Sequence, residues 1–507
     1  MAFSDAMRAW FAGDFAECLA LCGRVRADAP DDRAQLALLR ARAMLRIGRP
    51  DEAIVELERT FVAAAGGLDT SLTARMLLGT AYVRRGELQR GIDLLLTAQA
   101  DAARAHPTVR SEIALNLALG YYGERALDDA DRALDAVLPD ADIVYARALE
   151  YRGWVAVARA DYVAATEAFT AALVTLDGCR HHDRFMEAMA LEALATLAAE
   201  RLDADAWAMV ERRVARFDWS ASGLSHSRYL VAYHASLMDE ARGRVGDALA
   251  WTAHADEAAP TPATRLAAQC RRAEIFRAAG ERYAHADLVS RVRVAADAIA
   301  DESVGGHERN AFLALATELA ASGDVLRASA VLKRHRRLRG PSAMSSLMND
   351  PRDEAAIADA ESVVAHAAGD LIQARERAQR AFELYRRIGY ERRALVAATR
   401  LHELTGQTSL REYVDGVLRK VAASSPLRTI APAVDPGDAD PIVSELSPTE
   451  RAVLVLLCEG MSTAAIAAAR NRSKQTIRNT VSRILMTFGL PDRQALLREC
   501  VRRGLVL

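Results

Sequence analysis

Residues 78–98 read Leu78-Gly-Thr-Ala-Tyr82-Val-Arg-Arg-Gly86-Glu-Leu-Gln-Arg-Gly91-Ile-Asp-Leu-Leu95-Leu-Thr-Ala98. Small and apolar residues recur at three- and four-residue steps on both sides of Gly86, which places them on one face of each of two helices. Gly86 stands where a helix can end on a glycine in a left-handed conformation, and Gly91, five residues on, opens the packed face of the next helix. Small residues there let two antiparallel helices approach, while Tyr82 and Leu95 fill the space beside them. The stretch predicts a helical hairpin.

The same phrase returns at Gly48…Ala53, Gly243…Ala248, Gly323…Ala328 and Gly369…Ala374, and without the glycine at Arg125…Ala130 and Ala160…Ala165. From residue 1 to about 420 nothing alternates in the manner of a strand, so helices are expected throughout. The steps from Gly48 to Gly86, Arg125 and Ala160 are 38, 39 and 35 residues. Recurrence at that period favours stacked helical pairs over a generic all-α bundle. Irregular stretches at 218–228, 301–308 and 340–352 interrupt the array.

These residues resemble the tetratricopeptide repeat over most of residues 5–410, with steps longer than the ~34 of the strict repeat. The resemblance implies an α-solenoid with a concave groove suited to a peptide, a protein or a small ligand. Extrapolated along the repeats, Arg84, Tyr122, Arg147, Glu150 and Trp154 fall on that groove. The plainer reading of Tyr122 and Trp154 is packing between helices.

Composition narrows the classes. The chain has 507 residues, 51% of them apolar and 26% charged, with 66 Lys and Arg against 68 Asp and Glu, a formal charge of −2. Such a balance belongs to a foldable protein. The longest charge-free run, Ile113–Gly123, falls well short of the ~20 residues of a membrane helix. The opening Met-Ala-Phe-Ser-Asp-Ala-Met-Arg has no basic region before an apolar core, so no secretory signal and a cytoplasmic location are expected. Six cysteines are too sparse for a disulfide scaffold. Cys179 with His181 and His182 invites a metal reading, but a polar loop at 177–184 that merely contains them is the far stronger one, and no metal or other cofactor is expected. The lysines are Lys333, Lys420 and Lys474, and none follows a glycine, which excludes a phosphate-binding P-loop. No His-Glu-x-x-His pair and no Gly-x-Ser-x-Gly elbow appears, so an enzyme is the weakest reading.

After Ala423 the composition changes. Four prolines and three aspartates between 424 and 441 cannot continue a helix, and the segment reads as a linker. The expected domains are a repeat domain at 1–423, the linker at 424–441 and a C-terminal module at 442–507. Residues 446–507 hold ten Lys and Arg against four Asp and Glu, a net +6, leaving −8 on the rest. A basic module on an acidic body suggests that this end faces a polyanion.

Its residue order is more specific than its charge. Ser447-Pro448-Thr449-Glu450 is a capping box, followed by an apolar stripe of Val453, Leu454 and Leu457. Gly460-Met461-Ser462 ends that helix and starts a short second one over 463–470, with Ile466 inward and Asn471 in the turn after it. Ser473 caps a third helix whose buried face is Ile477, Val481, Ile484 and Phe488. Gln475, Arg478, Asn479, Ser482 and Arg483 occupy its other face, and such side chains can pair with base edges in a major groove.

Leu446-Ser-Pro-Thr-Glu450, Glu459-Gly460-Met-Ser462, Ile466-Ala467, Ser473-Lys-Gln-Thr476-Ile477-Arg478-Asn479, Arg483-Ile484 and Phe488-Gly489-Leu490 are similar to the LuxR-type (GerE-like) helix-turn-helix. Arg470, Arg472 and Thr480 depart from its pattern. The resemblance implies a four-helix module with a dimer contact through a last helix at 492–503. It implies base contacts from Arg478, Asn479 and Ser482, and positions nearer phosphates for Ser473, Gln475, Thr476 and Arg483. Lys474, at the helix start, is suited to phosphate as well.

The sequence thus predicts an all-α protein, a helical-hairpin solenoid followed by a small helix-turn-helix domain. It reads as a sequence-specific DNA-binding transcription regulator acting on double-stranded DNA as a homodimer. RNA polymerase is a candidate partner, and a small molecule, peptide or protein is the effector; no membrane partner is expected. A scaffold acting mainly through the solenoid is the alternative. Limited proteolysis of the intact protein should cut first within 424–441, and preferential cutting inside the repeats would contradict this layout.

Overall fold

The computed structural model describes residues 2–26, 29–63, 67–140, 142–304, 306–338 and 351–424, and in the C-terminal part 473–490 with short pieces between 446 and 499. Residues 425–441 of the expected linker lie outside the described residues, as do Gly460, Met461, Ser462, Arg470, Asn471 and Arg472. The chain divides into two compact units, Met1–Ser424 and Ser425–Leu507.

The first unit is built from helical hairpins. In it α1 (Ala2–Ala12) pairs with α2 (Phe15–Arg24), α3 (Pro30–Arg46) with α4 (Pro50–Ala63), and α5 (Leu68–Arg85) with α6 (Leu88–Asp101). Next come α7 (Pro107–Gly123) with α8 (Leu127–Asp135), α9 (Ile143–Ala158) with α10 (Tyr162–Asp177), and α11 (Arg184–Arg201) with α12 (Ala204–Val214). Then α13 (Ser225–Ala241) pairs with α14 (Val245–Ala258), and α15 (Pro262–Ala278) with α16 (Arg282–Asp297). The last three pairs are α17 (Asn310–Ala321) with α18 (Val325–Arg337), α19 (Pro351–Ala367) with α20 (Leu371–Arg387), and α21 (Glu391–Thr405) with α22 (Thr408–Ser424). Odd-numbered helices also stack on one another, α3 on α5, α5 on α7, α7 on α9, and again from α11 through α19. No strand occurs among the described residues. The architecture is an α-solenoid of the tetratricopeptide type. Two of the irregular stretches hold short 3-10 turns, Ser222–Leu224 and Asp301–Ser303 with Gly306–Arg309; residues 340–350 of the third lie outside the described residues.

One turn is used again and again. At Gly86, φ is +92°, the Gly86 N–H donates to Val83 O at 3.0 Å, and the Glu87 N–H donates to Tyr82 O at 2.9 Å. Those two bonds satisfy carbonyls that the helix end would leave orphaned. The repeated phrase therefore marks a hydrogen-bonded turn. Arg125 and Ala160 adopt the same left-handed conformation at φ +61° and +60°, despite their side chains, and make the same bonds. Gly13, Leu202 and Gly280 are further copies, with φ +82°, +55° and +75°. In these the residue five positions on is Cys18, Trp207 or His285, so the expectation of a small residue there does not find them. All three are buried.

The small residue matters where helices touch. A Cβ on Gly91 would stand 2.6 Å from Gly79 O, and one on Gly153 would stand 2.7 Å from the Phe169 ring. Such helices meet backbone to backbone or backbone to ring.

The array also closes on itself. Phe15 of α2 meets Phe185 of α11 edge-on at 5.1 Å, His181 stacks on Phe11 at 5.0 Å, and Ser222 Oγ donates to Asp14 Oδ1 at 3.2 Å. Further along, Arg393 of α21 donates to Glu200 of α11 at 2.8 Å, and Tyr390 lies against Tyr162 at 5.5 Å. Helix α11 thus takes part in both closing contacts. Arg271, fully buried on α15, ion-pairs with Glu240 and Glu274 and donates to Ser236 Oγ at 3.2 Å. Its charge, with those of Arg392 and Arg277, holds the Glu274 carboxyl down at about 2 against the opposing effect of burial.

Gly91→Ala should destabilise the protein by about 1–3 kcal/mol through overpacking, although alanine is the better helix former. Gly416→Ala, in α22 with nothing near the new Cβ, should be neutral or stabilising by up to about 1 kcal/mol. Urea denaturation followed by circular dichroism checks the contrast, and equal effects would contradict the close approach.

Candidate nucleic-acid interface and effector groove

In the second unit a helix, α23, runs from Lys474 to Thr487. Ser473 caps it, its hydroxyl accepting from the Thr476 N–H at 3.0 Å. Gly489, at φ +65°, ends it, with the Gly489 N–H donating to Met486 O at 3.1 Å and the Leu490 N–H to Leu485 O at 2.9 Å. This is the turn of the repeats once more. Ile477, Ile484 and Phe488 are buried in one core with Leu446, Val453, Leu454, Leu457, Ile466 and Leu496. Thr480 is buried too and donates to Thr476 O at 3.0 Å.

The opposite face stands in solvent: Ser473, Lys474, Gln475, Thr476, Arg478, Asn479, Ser482 and Arg483 are all exposed. Gln475 Nε2 donates to Asn479 Oδ1 at 3.0 Å, aligning the two amides one turn apart. The capping box closes as expected, with the Ser447 N–H donating to Glu450 Oε2 at 2.9 Å and the Glu450 N–H to Ser447 Oγ at 3.3 Å. The Ser447 hydroxyl, donating to Glu450 Oε2 at 2.6 Å, and then the Ser447 N–H hold the Glu450 carboxyl below its ordinary range. Glu450 also ion-pairs with Arg483 of α23 at 3.3 Å. Among the described residues Lys474 and Arg478 have no ion-pair partner. The start of the last helix shows in Asp492, which accepts from the Ala495 N–H at 2.8 Å.

In the repeat unit, Arg147, Glu150 and Trp154 share one face of α9. Arg147 stands 3.7 Å from Asp183, and Trp154 Nε1 donates to Glu150 Oε1 at 3.4 Å. Trp154 meets Phe169 edge-on at 5.1 Å. Arg84 is exposed, and burial raises the half-buried Tyr151 hydroxyl above its ordinary range against the pull of the Arg84 charge. Tyr122 is half-buried and packs against the core of the first hairpins. Beside Arg147 lies a cavity of 520 Å³ between α1, α3, α5, α7 and α9. The metal-like trio scatters: Cys179 Sγ donates to Thr175 O at 3.3 Å, His181 lies on Phe11, and His182 Nε2 faces Glu187 at 2.6 Å.

Residues 444–500 match the family described as GerE, bacterial regulatory proteins, luxR family. The C-terminal module is a LuxR-type helix-turn-helix domain. No curated protein matches the chain. Among solved structures, it is similar to a Rap protein complexed with competence and sporulation factor, at 11% identity and TM-score 0.45 over 70% of this chain and 100% of that one. It is similar to the apo form of the quorum sensor NprR from B. thuringiensis, at 11% identity and TM-score 0.34 over 82% and 97%. It is also similar to the APC/C hetero-tetramer Cut9-Hcn1, at 12% identity and TM-score 0.25 over 83% and 92%. No described helix of the chain is long and apolar enough to cross a membrane.

Polar residues that the sequence did not single out line the interior. Arg42 holds Glu112 through two bonds, at 2.7 and 3.3 Å, and Asn116 accepts from Thr80 at 2.9 Å. Ser227 donates to the buried Glu192 at 2.7 Å. The available signal was a carboxylate set among apolar residues, as at Glu112 and Glu192. Burial pushes both Glu150 and Glu192 up from 4.5 to about 7, against the Arg147 charge at Glu150 and the Ser227 hydrogen bond at Glu192. Burial pushes His234 the other way, from 6.5 down to about 4.

A carboxyl raised in the fold keeps a proton that the unfolded chain releases. Stability therefore falls as pH rises from 4.5 to about 7, and the loss is complete above that. Glu192→Gln keeps the acceptor for Ser227 and removes the titration. The variant should gain about 1–3 kcal/mol at pH 8 and about a quarter of that at pH 5. Urea denaturation at the two pH values tests this, and a gain that is the same at both would contradict the buried-carboxylate assignment.

Proposed function

We propose that this protein is a sequence-specific DNA-binding transcription regulator without enzymatic activity. Its helical-repeat domain, 1–423, receives an effector or partner protein and is joined through 424–441 to the LuxR-type module, 442–507. The observation that carries this reading is the two-sided character of α23: Ile477, Ile484 and Phe488 anchor one side, and an unbroken row of donors and acceptors occupies the other. Family membership of residues 444–500 supports it, since that family is one of bacterial regulatory proteins. Arg478, Asn479 and Ser482 then face base edges. Ser473, Lys474, Gln475, Thr476 and Arg483 lie nearer the phosphates. The helix N-terminus, with its free N–H groups and positive dipole end, adds to the phosphate contact. The protein works as a cytoplasmic homodimer on double-stranded DNA, with RNA polymerase as a downstream partner.

Two neighbours on α23 make the reading testable. Arg478→Ala should cost about 1–3 kcal/mol on the preferred duplex and relax preference at one base pair in each half-site. Lys474→Ala should weaken all duplexes alike and lower the salt slope by about one unit. Titrations of both variants against specific and scrambled duplexes at several salt concentrations separate the two roles. Equal, sequence-independent losses would remove α23 from the recognition role.

A further inference from the structure

The cavity beside Arg147 differs from an ordinary gap between repeats because it has two unlike walls. Phe3, Met7, Trp10 and Phe11 of α1 form one wall, and Leu115 of α7 lines the cavity as well. Arg42, Glu112, Asn116, Arg147 and Asp183 supply polar groups on the other. At 520 Å³ it lies within the ~300–1,000 Å³ range of small-molecule sites.

The hydrogen bonds of the polar wall can be followed group by group. Glu112 is spent on Arg42, Asn116 donates to Glu112 O at 2.7 Å, and Asp69 accepts from the His106 N–H at 3.0 Å. Asp183 accepts from the Met186 N–H at 3.0 Å, capping α11. Arg147 is the exception. Its Nη2 ion-pairs with Asp183 at 3.7 Å, a separation too long for a hydrogen bond, and makes no hydrogen bond. Among the described residues it is the one lining side chain with a buried polar atom in that state. Leaving a buried donor unsatisfied is costly, and a charge-assisted bond to a carboxylate is among the stronger remedies.

We propose that this cavity binds a small organic carboxylate with an apolar, aromatic-sized body, its acid group on Arg147 and its body against the α1 wall. The inference rests on the reading of the repeat domain as the effector domain and gives that effector a chemical class. The carboxylates of the wall already accept bonds, so the vacant role at Arg147 is that of an acceptor. Neutral and cationic ligands of the same shape fill the apolar wall but leave Arg147 as it is.

Three probes of one shape test this on the intact protein at pH 7.5: 4-phenylbutyrate, 4-phenylbutanol and 4-phenylbutylamine. Calorimetric titration should show the acid binding about tenfold or more tightly than the alcohol, and the amine no better than the alcohol. Arg147→Gln should bring the acid down to the affinity of the alcohol while leaving the alcohol unchanged, and Arg147→Lys should restore part of the difference. Leu115→Trp, which fills the cavity, should weaken acid and alcohol together. Circular dichroism melts identify any variant that fails to fold, and the Lys and Trp variants then carry the test. No saturable acid binding, equal affinity for acid and alcohol, preference for the amine, or an acid preference that survives Arg147→Gln would each overturn the site. Duplex titrations run alongside keep the two proposals apart. Selective DNA binding without acid binding removes only this site, and acid binding without selective DNA binding removes only the regulator reading.

Discussion

Two antiparallel helices can share a core only if the chain reverses within a few residues and leaves no buried backbone group unpaired. Here one pair of hydrogen bonds, across a residue in the left-handed conformation, performs that reversal at Gly86 and at its counterparts along the solenoid. The same bonds end α23 at Gly489. Once the turn is fixed, the residue five positions on is delivered to the partner helix, and that contact sets how closely the pair packs. The stacking of odd-numbered helices and the walls of the cavity follow from this placement.

The hairpins were legible because the turn leaves a mark in the sequence. Glycine is favoured where φ is positive, and alanine or glycine where backbones nearly touch. Arg125 and Ala160 were legible without glycine, since the position five residues on still gave them away. Gly13, Leu202 and Gly280 were not, because Cys18, Trp207 and His285 occupy that position and local packing admits a larger side chain. The α23 faces were legible for a similar reason: a short helix with three-four periodicity has only one way to bury Ile477, Ile484 and Phe488. Arg483 shows the limit of such reading, as its ion pair with Glu450 joins residues far apart in the sequence and not residues spaced within one helix.

The interior polar groups were the least legible part. Whether Glu112, Glu150 or Glu192 points to solvent or into the array depends on neighbours thirty or more residues away, such as Arg42 and Ser227. Closure was equally hidden. The contacts of Phe185 with Phe15 and of Arg393 with Glu200 join segments 170 or more residues apart, and no local pattern announces them.

That closure changes the statistical mechanics of the domain. An open solenoid is a one-dimensional chain of units, each coupled only to its neighbours, and it can fray from either end. Here the first hairpin and the penultimate helix both rest on α11, so neither end is free to peel away without breaking a long-range contact. The repeats then behave less like beads on a string than like two loops fastened at one knot. Loosening α11 releases both loops together, and a load applied to either one is shared with the other through a single helix.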